Sequence, residues 1–405
     1  MNGSIRIGRI FGIPIKLHLT FLLILPLFVY VFSVQSGEVI GMSLGFGDLE
    51  ASSAVRYVFG TVAAVLFFAA ILAHELAHSY LAMRYGVQIK SITLMLFGGV
   101  ASMEEIPRKP GMEWKMAFAG PLTSFGIGVI SLGSMLLLGL FTMDSVVFDG
   151  IVVLLGLLAF YNILLGMFNL IPAFPMDGGR LLRSYYASRM SYVDATRKAA
   201  RVGRYFAIGM GIFGLFFNFW LILIAFIVYI GASEEEQATV ISESLSGVTV
   251  RQVMTGSVEV IHPDISAQQL LDLMLATRHM GFPVVELGLV GIVTLSDVQK
   301  VPKDRLAFTT VRSIMTREVV TVGPDMSAAD ALKLMSEKKI GRLIVVERGR
   351  IVGIVTKKDF LQAVEVLSQR SQWGYRPPPQ SQMPPQSVPF QNPPQQPPSP
   401  PTASS

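Results

Sequence analysis

The first 230 residues alternate between long apolar segments and short polar connections. Such segments predict membrane-spanning helices, because about 20 helical residues cross a bilayer core of roughly 30 Å. A last apolar segment is ambiguous: it forms either one long tilted helix or two shorter helices broken near Asn218. The pattern predicts a polytopic α-helical membrane domain. The clear segments cover residues 17–34, 55–83, 114–140 and 146–171, and the ambiguous one covers residues 205–230.

Charged residues in the connections indicate how these segments are oriented. The connections at residues 6–16, 84–115 and 180–204 are basic, whereas those at residues 38–50 and 144–149 are acidic. Because basic connections remain on the cytoplasmic side, we expect the N-terminus in the cytoplasm. A break at Asn218 would return the chain to the cytoplasm after about six helices. We favour six, partly because the C-terminal half is interpreted below as an intracellular module.

Beyond Ile230 the composition becomes that of a soluble protein, and an internal repeat of about 60 residues appears. The sequence Val-Met-Thr at 253–255 recurs as Ile-Met-Thr at 314–316, and Gly-Ile-Val-Thr at 291–294 recurs at 353–356. In each copy an amphipathic helix precedes two β-rich runs, which predicts an α+β fold for the tandem. The helices cover residues 267–277 and 328–337, and the strands cover residues 283–286, 289–294, 343–347 and 351–356.

These patterns divide the chain into a membrane domain, two repeats and a tail. The tail is rich in Pro, Gln and Ser, so it cannot bury enough apolar surface to offset chain entropy, and we expect it to be disordered. The boundaries are residues 1–233 for the membrane domain, 248–305 and 309–368 for the repeats, and 373–405 for the tail.

Composition agrees with a membrane protein and excludes several chemistries. Apolar residues make up 51% of the chain and charged residues only 15%, more apolar than one soluble core would bury. The net charge of +5 comes from residues that flank apolar segments, so we expect no nucleic-acid partner. Cysteine is absent, so a metal would have to be bound through nitrogen and oxygen.

The sequence from His74 to His78, His-Glu-Leu-Ala-His, is the most informative motif. On a helix, positions four apart lie about 40° around the axis and 6 Å along it, so both imidazoles face one point. That arrangement suits two zinc–nitrogen bonds, and Glu75 is close enough to accept a proton from a water on the metal. The preceding residues 67–73 are apolar. Inside such a helix an ionised side chain costs about 2.5 kcal/mol or more, so Glu75 requires compensation.

Two histidines leave zinc short of a third protein ligand. The other histidines are poor candidates, since His18 begins the first apolar segment and His262 and His279 lie in the repeats. The best carboxylate is Asp177, which follows the fourth apolar segment where two prolines and two glycines interrupt the helix. Irregular backbone at membrane depth survives where protein or a water-filled cavity receives its polar groups. The alternative is that Asp177 only caps the loop.

At this point the chain resembles the site-2 protease family, which pairs an HExxH helix with a later NxxPxxxxDG motif. The second motif runs here from Asn169 to Gly178. The resemblance implies an intramembrane endopeptidase that cleaves in or near transmembrane segments of membrane protein substrates. It implies one Zn²⁺ per chain held by His74, His78 and Asp177, with Glu75 as the catalytic base. Asn169 is implied to bind the substrate backbone or the oxyanion.

Other segments are also similar to that family. Residues 12–15 with His18 are similar to its N-terminal segment, and residues 97–101 to its membrane-dipping β region. A Gly-Pro motif at 120–121 departs from the family, which often carries Asn where Ser124 stands, and this weakens a catalytic role for Ser124. We expect residues 91–103, with Ile92, Leu94 and Leu96 on one face, to form a strand edge for an extended substrate or an ordinary re-entrant loop.

The tandem repeats resemble CBS domains, in which a GxxTxxD element contacts a nucleotide. The resemblance implies that Thr294 with Asp297, and Thr356 with Asp359, bind an adenine nucleotide such as AMP or ATP and regulate the peptidase. The alternative is a structural pair, since many CBS pairs serve only as dimerisation modules, which implies a homodimer. The rival function is a CBS-regulated transporter or channel, which would require inverted halves and ionisable residues along a path.

Overall fold

The computed structural model describes residues 4–95, 98–103, 110–141 and 143–372. The chain divides into two compact units, Met1–Glu243 and Ser244–Ser405, which we describe separately. The tail predicted at residues 373–405 lies outside the described residues, as do Leu96 and Phe97 of the predicted β region.

The first unit is mainly helical and carries a small sheet. Within the described residues, α2, α3, α4 and α6 are long and apolar enough to cross a membrane. Its helices are α1 (Phe21–Val34), α2 (Ser53–Arg84), α3 (Pro110–Leu138), α4 (Val146–Asn169), α5 (Asp177–Ala187), α6 (Tyr192–Phe217) and α7 (Phe219–Ser244). Its strands are β1 (Ser4–Ile10), β2 (Ile13–His18), β3 (Glu38–Val39), β4 (Met42–Ser43), β5 (Ile89–Met95) and β6 (Gly98–Met103).

The first apolar segment is shorter as a helix than predicted. Strand β2 extends to His18, so α1 begins at Phe21 and has 14 residues. A helix of this length spans about 21 Å, less than the bilayer core of roughly 30 Å. The predicted helix is therefore present, and it starts four residues later than the apolar segment at residues 17–34. The burial of Ile13 and Ile15, with Pro14 less buried between them, is the alternation of a strand, which a count of apolar residues overlooks.

The ambiguous segment at residues 205–230 forms two helices. Helix α6 ends at Phe217 and α7 begins at Phe219, with extended backbone at Asn218 (φ −163°, ψ 116°). The Asn218 side chain accepts a hydrogen bond from the Trp220 backbone at 2.9 Å. The two helices pack antiparallel, since a Cβ at Gly214 would lie 3.0 Å from Ile222 and a Cβ at Gly211 would lie 3.5 Å from Ala225. Helix α7 continues past residue 233, where we predicted the first domain to end.

The first unit has a four-stranded sheet with the strand order β1-β2-β5-β6 and a separate two-stranded sheet of β3 and β4. Strand β5 pairs in parallel with β2 and antiparallel with β6, so both of its edges are occupied. Ile92 and Leu94 on β5 are buried and pack against α2. Within the described sheet, the edge strand of residues 91–103 is therefore β6 and not β5.

The second unit contains two similar α/β halves. Observed helices and strands lie within a few residues of the predicted ones. The helices are α8 (Val250–Val253), α9 (Ala267–Thr277), α10 (Leu295–Val298), α11 (Val311–Ile314), α12 (Ala328–Lys338) and α13 (Lys357–Gln372). The strands are β7 (Gly281–Val285), β8 (Leu289–Thr294), β9 (Thr321–Val322), β10 (Arg342–Glu347) and β11 (Arg350–Thr356).

The short helices α8 and α11 each pack on the other repeat. The Val250 backbone N–H donates to the Met326 carbonyl, and the corresponding Val311 N–H donates to Ile265. Ion pairs also join the two repeats in the same reciprocal way. Arg251 contacts Asp325 and Glu347, while Arg312 contacts Asp264 and Glu286. The repeats are therefore related by an approximate two-fold axis and share their cores.

Candidate metal centre

The two histidines of the motif lie on consecutive turns of α2 and are almost completely buried. His74 is 4% exposed and His78 is 9% exposed. Their rings meet edge to face with centroids 4.8 Å apart, so their Nε2 atoms converge. Aromatic packing of Phe67 against Phe28 on α1 fixes the preceding turns of α2. The helix therefore presents both imidazoles on one side at a fixed depth.

Asp177 completes a triangle of ligand atoms. Its Oδ2 lies 3.2 Å from His74 Nε2 and 3.0 Å from His78 Nε2, and the two nitrogens are 3.2 Å apart. A tetrahedral zinc with bonds of about 2.0–2.1 Å places its ligand atoms about 3.3 Å apart. The observed triangle matches that spacing. Among the residues that the structure describes, it is the one such His, Asp or Glu cluster that could hold a metal.

The second ring nitrogen of each histidine is also bound. His78 Nδ1–H donates to the Met116 carbonyl oxygen at 2.6 Å, and His74 Nδ1 lies 2.9 Å from the buried Ser124 hydroxyl oxygen. A carbonyl can only accept, so the His78 proton is on Nδ1 and the Nε2 lone pair is free for a metal. Such outer hydrogen bonds fix ring orientation and raise ligand basicity. Both partners lie on α3, which therefore supports the imidazoles from behind.

Gly120 on α3 allows this helix to approach the imidazoles. A Cβ at this position would lie 2.2 Å from His78 Nε2 and 2.5 Å from His74 Nε2. Real Cβ atoms do not come so close to other heavy atoms, so any side chain at position 120 would enter the space of the ligand atoms. Glycine is thus a steric requirement of the site.

The chain between α4 and α5 positions Asp177 at the first residue of α5. Two glycines follow it, and each is packed so closely that a Cβ would collide with the loop: Gly178 with the Ile171 carbonyl at 2.2 Å and Gly179 with the Phe174 nitrogen at 2.6 Å. The side-chain carboxylate of Asp177 points to the histidines instead of capping its own helix. The alternative that Asp177 serves only as a cap does not describe this arrangement.

A buried ion cluster ties α5 to its neighbours. Arg183 on α5 donates to Glu113 on α3 and, at 2.5 Å, to Glu235 on α7. Its guanidinium also lies over the rings of Phe174 and Tyr192, at 5.1 and 4.9 Å from their centroids. Burial alone would lower the pKa of Arg183, but the negative charge of Glu113 raises the pKa above its ordinary value. Arg183 is therefore permanently charged.

Glu75 and Asn169, the other two predicted site residues, have different settings. Glu75 follows His74 on α2 and is partly buried. Asn169 is the last residue of α4, and its side-chain N–H donates to the Leu165 carbonyl at 3.0 Å. His18 lies at the end of β2 with its Nδ1 2.9 Å from the Thr20 hydroxyl, and is not part of the site.

The chain is similar to known proteins along most of its length. Residues 62–143 and 132–210 match peptidase family M50, and residues 250–304 and 311–366 each match the CBS domain. A zinc metalloprotease of Methanocaldococcus jannaschii is 37% identical over 91% of this chain and 98% of its own length. The chain belongs to peptidase family M50.

Two further similarities accompany this one. Rip3 of Mycobacterium tuberculosis is 32% identical to this M50 peptidase over 90% of the chain and 94% of its own length. The solved structure of a site-2 protease from Methanocaldococcus jannaschii is 38% identical and covers 57% of this chain and 95% of that chain, with a TM-score of 0.39. The M50 peptidase is thus a multi-pass membrane protein with a CBS pair at its C-terminal side.

In the CBS pair of this M50 peptidase, the predicted nucleotide residues form capping boxes. Thr294 donates its hydroxyl to Asp297 at 2.7 Å, and Thr356 donates to Asp359 at 2.8 Å. Each Asp also accepts the backbone N–H of its Thr. The pairs thus begin α10 and α13 and hold carboxylate and hydroxyl side by side at a helix N-terminus.

Three features of the metal centre were missed by the sequence analysis. Ser124 was noted only as a departure from a family motif, the Met116 carbonyl carries no sequence signal, and Arg183 was not singled out. The spacing from Gly120 to Ser124 could have indicated that both lie on one face of α3, because positions four apart share a helix face.

Proposed function

We propose that this chain is an intramembrane zinc endopeptidase whose zinc is held by His74, His78 and Asp177. The observation that carries the proposal is the triangle of three ligand atoms with edges of 3.0–3.2 Å. The nitrogen and oxygen donor set suits zinc. The substrates are transmembrane proteins, because the centre is built on α2, a helix long and apolar enough to cross a membrane.

The residues of the site divide the work of hydrolysis. When bound, zinc supplies Lewis-acid polarisation and lowers the pKa of water to about 7. Glu75 accepts a proton from the attacking water and passes it to the leaving amine. Asn169 binds the substrate backbone or the oxyanion: an amide NH₂ has two hydrogens, so its bond to Leu165 leaves one for the substrate. Ser124 and Met116 keep the imidazoles oriented.

The test of this function is the variant Glu75→Gln. It keeps the size of the side chain and removes the proton acceptor, so zinc should remain bound while cleavage of a membrane substrate stops. Glu236→Gln makes the same acid-to-amide change on α7 and should cleave normally. Cleavage by Glu75→Gln at the wild-type rate would refute the assigned base.

The substrate requires an extended backbone, because carbonyls in a helix are closed off by i to i−4 hydrogen bonds. We assign the receiving edge to β6, since both edges of β5 are already paired within the described sheet. An extended segment added to β6 would continue the sheet by β-augmentation.

Disulfide cross-linking tests this edge directly because the chain contains no cysteine. Val100→Cys on β6 should cross-link to a substrate that carries one cysteine beside the cleaved bond. Ile7→Cys on β1, the opposite edge of the same sheet, is the matched control and should not. Equal cross-linking at both positions would remove β6 from the mechanism.

For the CBS pair we propose binding of an adenine nucleotide that regulates the peptidase. The support is chemical: Asp297 and Asp359 carboxylates can accept paired ribose hydroxyl protons, and Thr294 and Thr356 hydroxyls at helix N-termini meet phosphate. A nucleotide would have to compete with the capping boxes for these atoms. A purely structural pair that joins two chains is the alternative.

Titration of the protein with AMP and ATP distinguishes these roles. Nucleotide binding predicts a thermal shift of the second unit that is lost when Asp297 and Asp359 are both replaced by Ala. No shift at millimolar nucleotide, together with a dimer in solution, would favour the structural role.

We also propose that the N-terminus and the CBS pair lie in the cytoplasm. The basic connections support this orientation, and the two-helix arrangement of α6 and α7 returns the chain to the side of the α6 N-terminus. Single cysteines placed in the second unit should react with an impermeant thiol reagent only after the cell membrane is opened.

A further inference from the structure

Arg183 links helix α5 to two other helices by directional contacts. The exposed fraction of its side chain is 4%, and its charge is paired with Glu113 on α3 and with Glu235 on α7. Its guanidinium is also enclosed by the rings of Phe174 and Tyr192. A buried charge of this kind keeps its partners in place, because an unpaired charge would remain if they moved away.

This anchor and the third metal-binding side chain belong to the same short helix. Asp177 is the first residue of α5, and Arg183 follows it by about 9 Å along the axis. Helix α3, which contacts Arg183 through Glu113, also carries Ser124 and the Met116 carbonyl that orient the histidines. The ion pair of Arg183 with Glu113 therefore fixes the position of the Asp177 carboxylate relative to the two imidazoles.

The contact of Arg183 with Glu235 connects α5 to a second helix, α7. Helix α7 also touches the loop before α5, since a Cβ at Gly231 would lie 2.7 Å from Pro175. Glu235 lies one turn beyond Gly231 and reaches Arg183 itself. Helix α7 then continues to Ser244, where the second unit begins. A displacement of α7 would therefore be transmitted to α5 through this pair.

We propose that Arg183 is a positioning residue of the metal centre, and that its ion pair with Glu235 on α7 sets the position of Asp177. This inference rests on the proposed zinc site for its effect on metal binding. The ion pair between Glu235 on α7 and Arg183 on α5 is present without metal.

Two neighbouring residues of α7 make a matched test. Glu235→Gln removes the pair to α5, whereas Glu236→Gln removes the pair of Glu236 with Arg204 on α6, also 2.5 Å long. Both changes turn a partly exposed acid on the same helix into an amide. Glu235→Gln loosens the contact of α5 with α7 and leaves the pair of Arg183 with Glu113 in place, whereas Glu236→Gln changes no contact of Arg183, so only Glu235→Gln should affect Asp177.

Hydrogen exchange of the α5 backbone amides in metal-free, detergent-purified protein is the first readout. We expect severalfold faster exchange in Glu235→Gln than in wild type, and wild-type exchange in Glu236→Gln. Zinc release to a chelator is the second readout, with about tenfold faster release in Glu235→Gln, the lower end of the effect of outer-sphere changes on metal affinity. In the cleavage assay kcat should fall with KM unchanged, because the change acts through Asp177 and not through the proposed substrate contacts.

Two results would overturn the inference: unchanged α5 exchange in Glu235→Gln, or equal acceleration in both variants. If Glu235→Gln does not accumulate, Glu235→Asp keeps the charge on a shorter side chain and is compared in the same way with Glu236→Asp. Absence of zinc from the wild type would count against the proposed function alone, since the exchange measurement requires no metal.

Discussion

Replacing Gly120 by Ala tests how closely α3 must approach the metal centre. The added methyl carbon would lie 2.2 Å from His78 Nε2 and 2.5 Å from His74 Nε2. Contacts between such atoms are favourable at about 3.5 Å, so the methyl group is too close by about 1.3 and 1.0 Å. Zinc–ligand distances tolerate about 0.2 Å. The imidazoles would therefore have to move several times farther than the bond allows.

The expected result is loss of bound zinc and a fall in cleavage of about 100-fold or more. The protein should still fold, because Ala favours a helix over Gly by about 1 kcal/mol. Gly126→Ala is the control: it makes the same change on the same helix, where a Cβ would meet nothing within 4 Å. The assay is zinc content of purified protein beside cleavage of a membrane substrate. Wild-type zinc and cleavage in Gly120→Ala would refute the steric argument.

Two further predictions concern other contacts. Ser124→Ala removes the partner of His74 Nδ1 and should weaken zinc binding about 10- to 100-fold, measured by chelator competition. Thr123→Ala removes a hydroxyl that donates to the Ala119 carbonyl of its own helix, and should leave zinc binding unchanged. In the second unit, Arg312 lowers the pKa of Glu286. A carboxylate whose pKa is lowered by folding stabilises the folded state at pH values above its ordinary pKa. This stabilisation is lost as the pH falls through the pKa of the folded state. The thermal midpoint of this unit should therefore fall as the pH drops below the ordinary glutamate pKa of 4.5, and fall less in Arg312→Ala; an equal fall would exclude this pair as a cause.

The parts of the site with helical spacing could be predicted from the sequence. His74 and His78 face one point because of the period of the α-helix, and the broken helix before Asp177 marked that carboxylate as a partner. The repeats were recognised because the same short sequences recur after about 60 residues. Each of these signals is local or repeats itself along the chain.

Other features depend on contacts between distant segments and left no local signal. Met116 contributes only a backbone carbonyl, which every residue has. The importance of Gly120 arises from the crossing of α3 and α2, and that of Arg183 from partners on two other helices. The packing of α8 and α11 on the opposite repeat was missed for the same reason. Leu17 and His18, at the end of β2, were assigned to the first apolar helix because apolar content does not distinguish a strand from a helix.

The central claim is that Asp177 joins His74 and His78 to hold a zinc ion within the membrane unit. Metal analysis of detergent-purified protein, wild type beside Asp177→Ala, tests it most directly. The account predicts nearly one zinc per chain in the wild type and a large loss in the variant. Equal zinc in both proteins would contradict it.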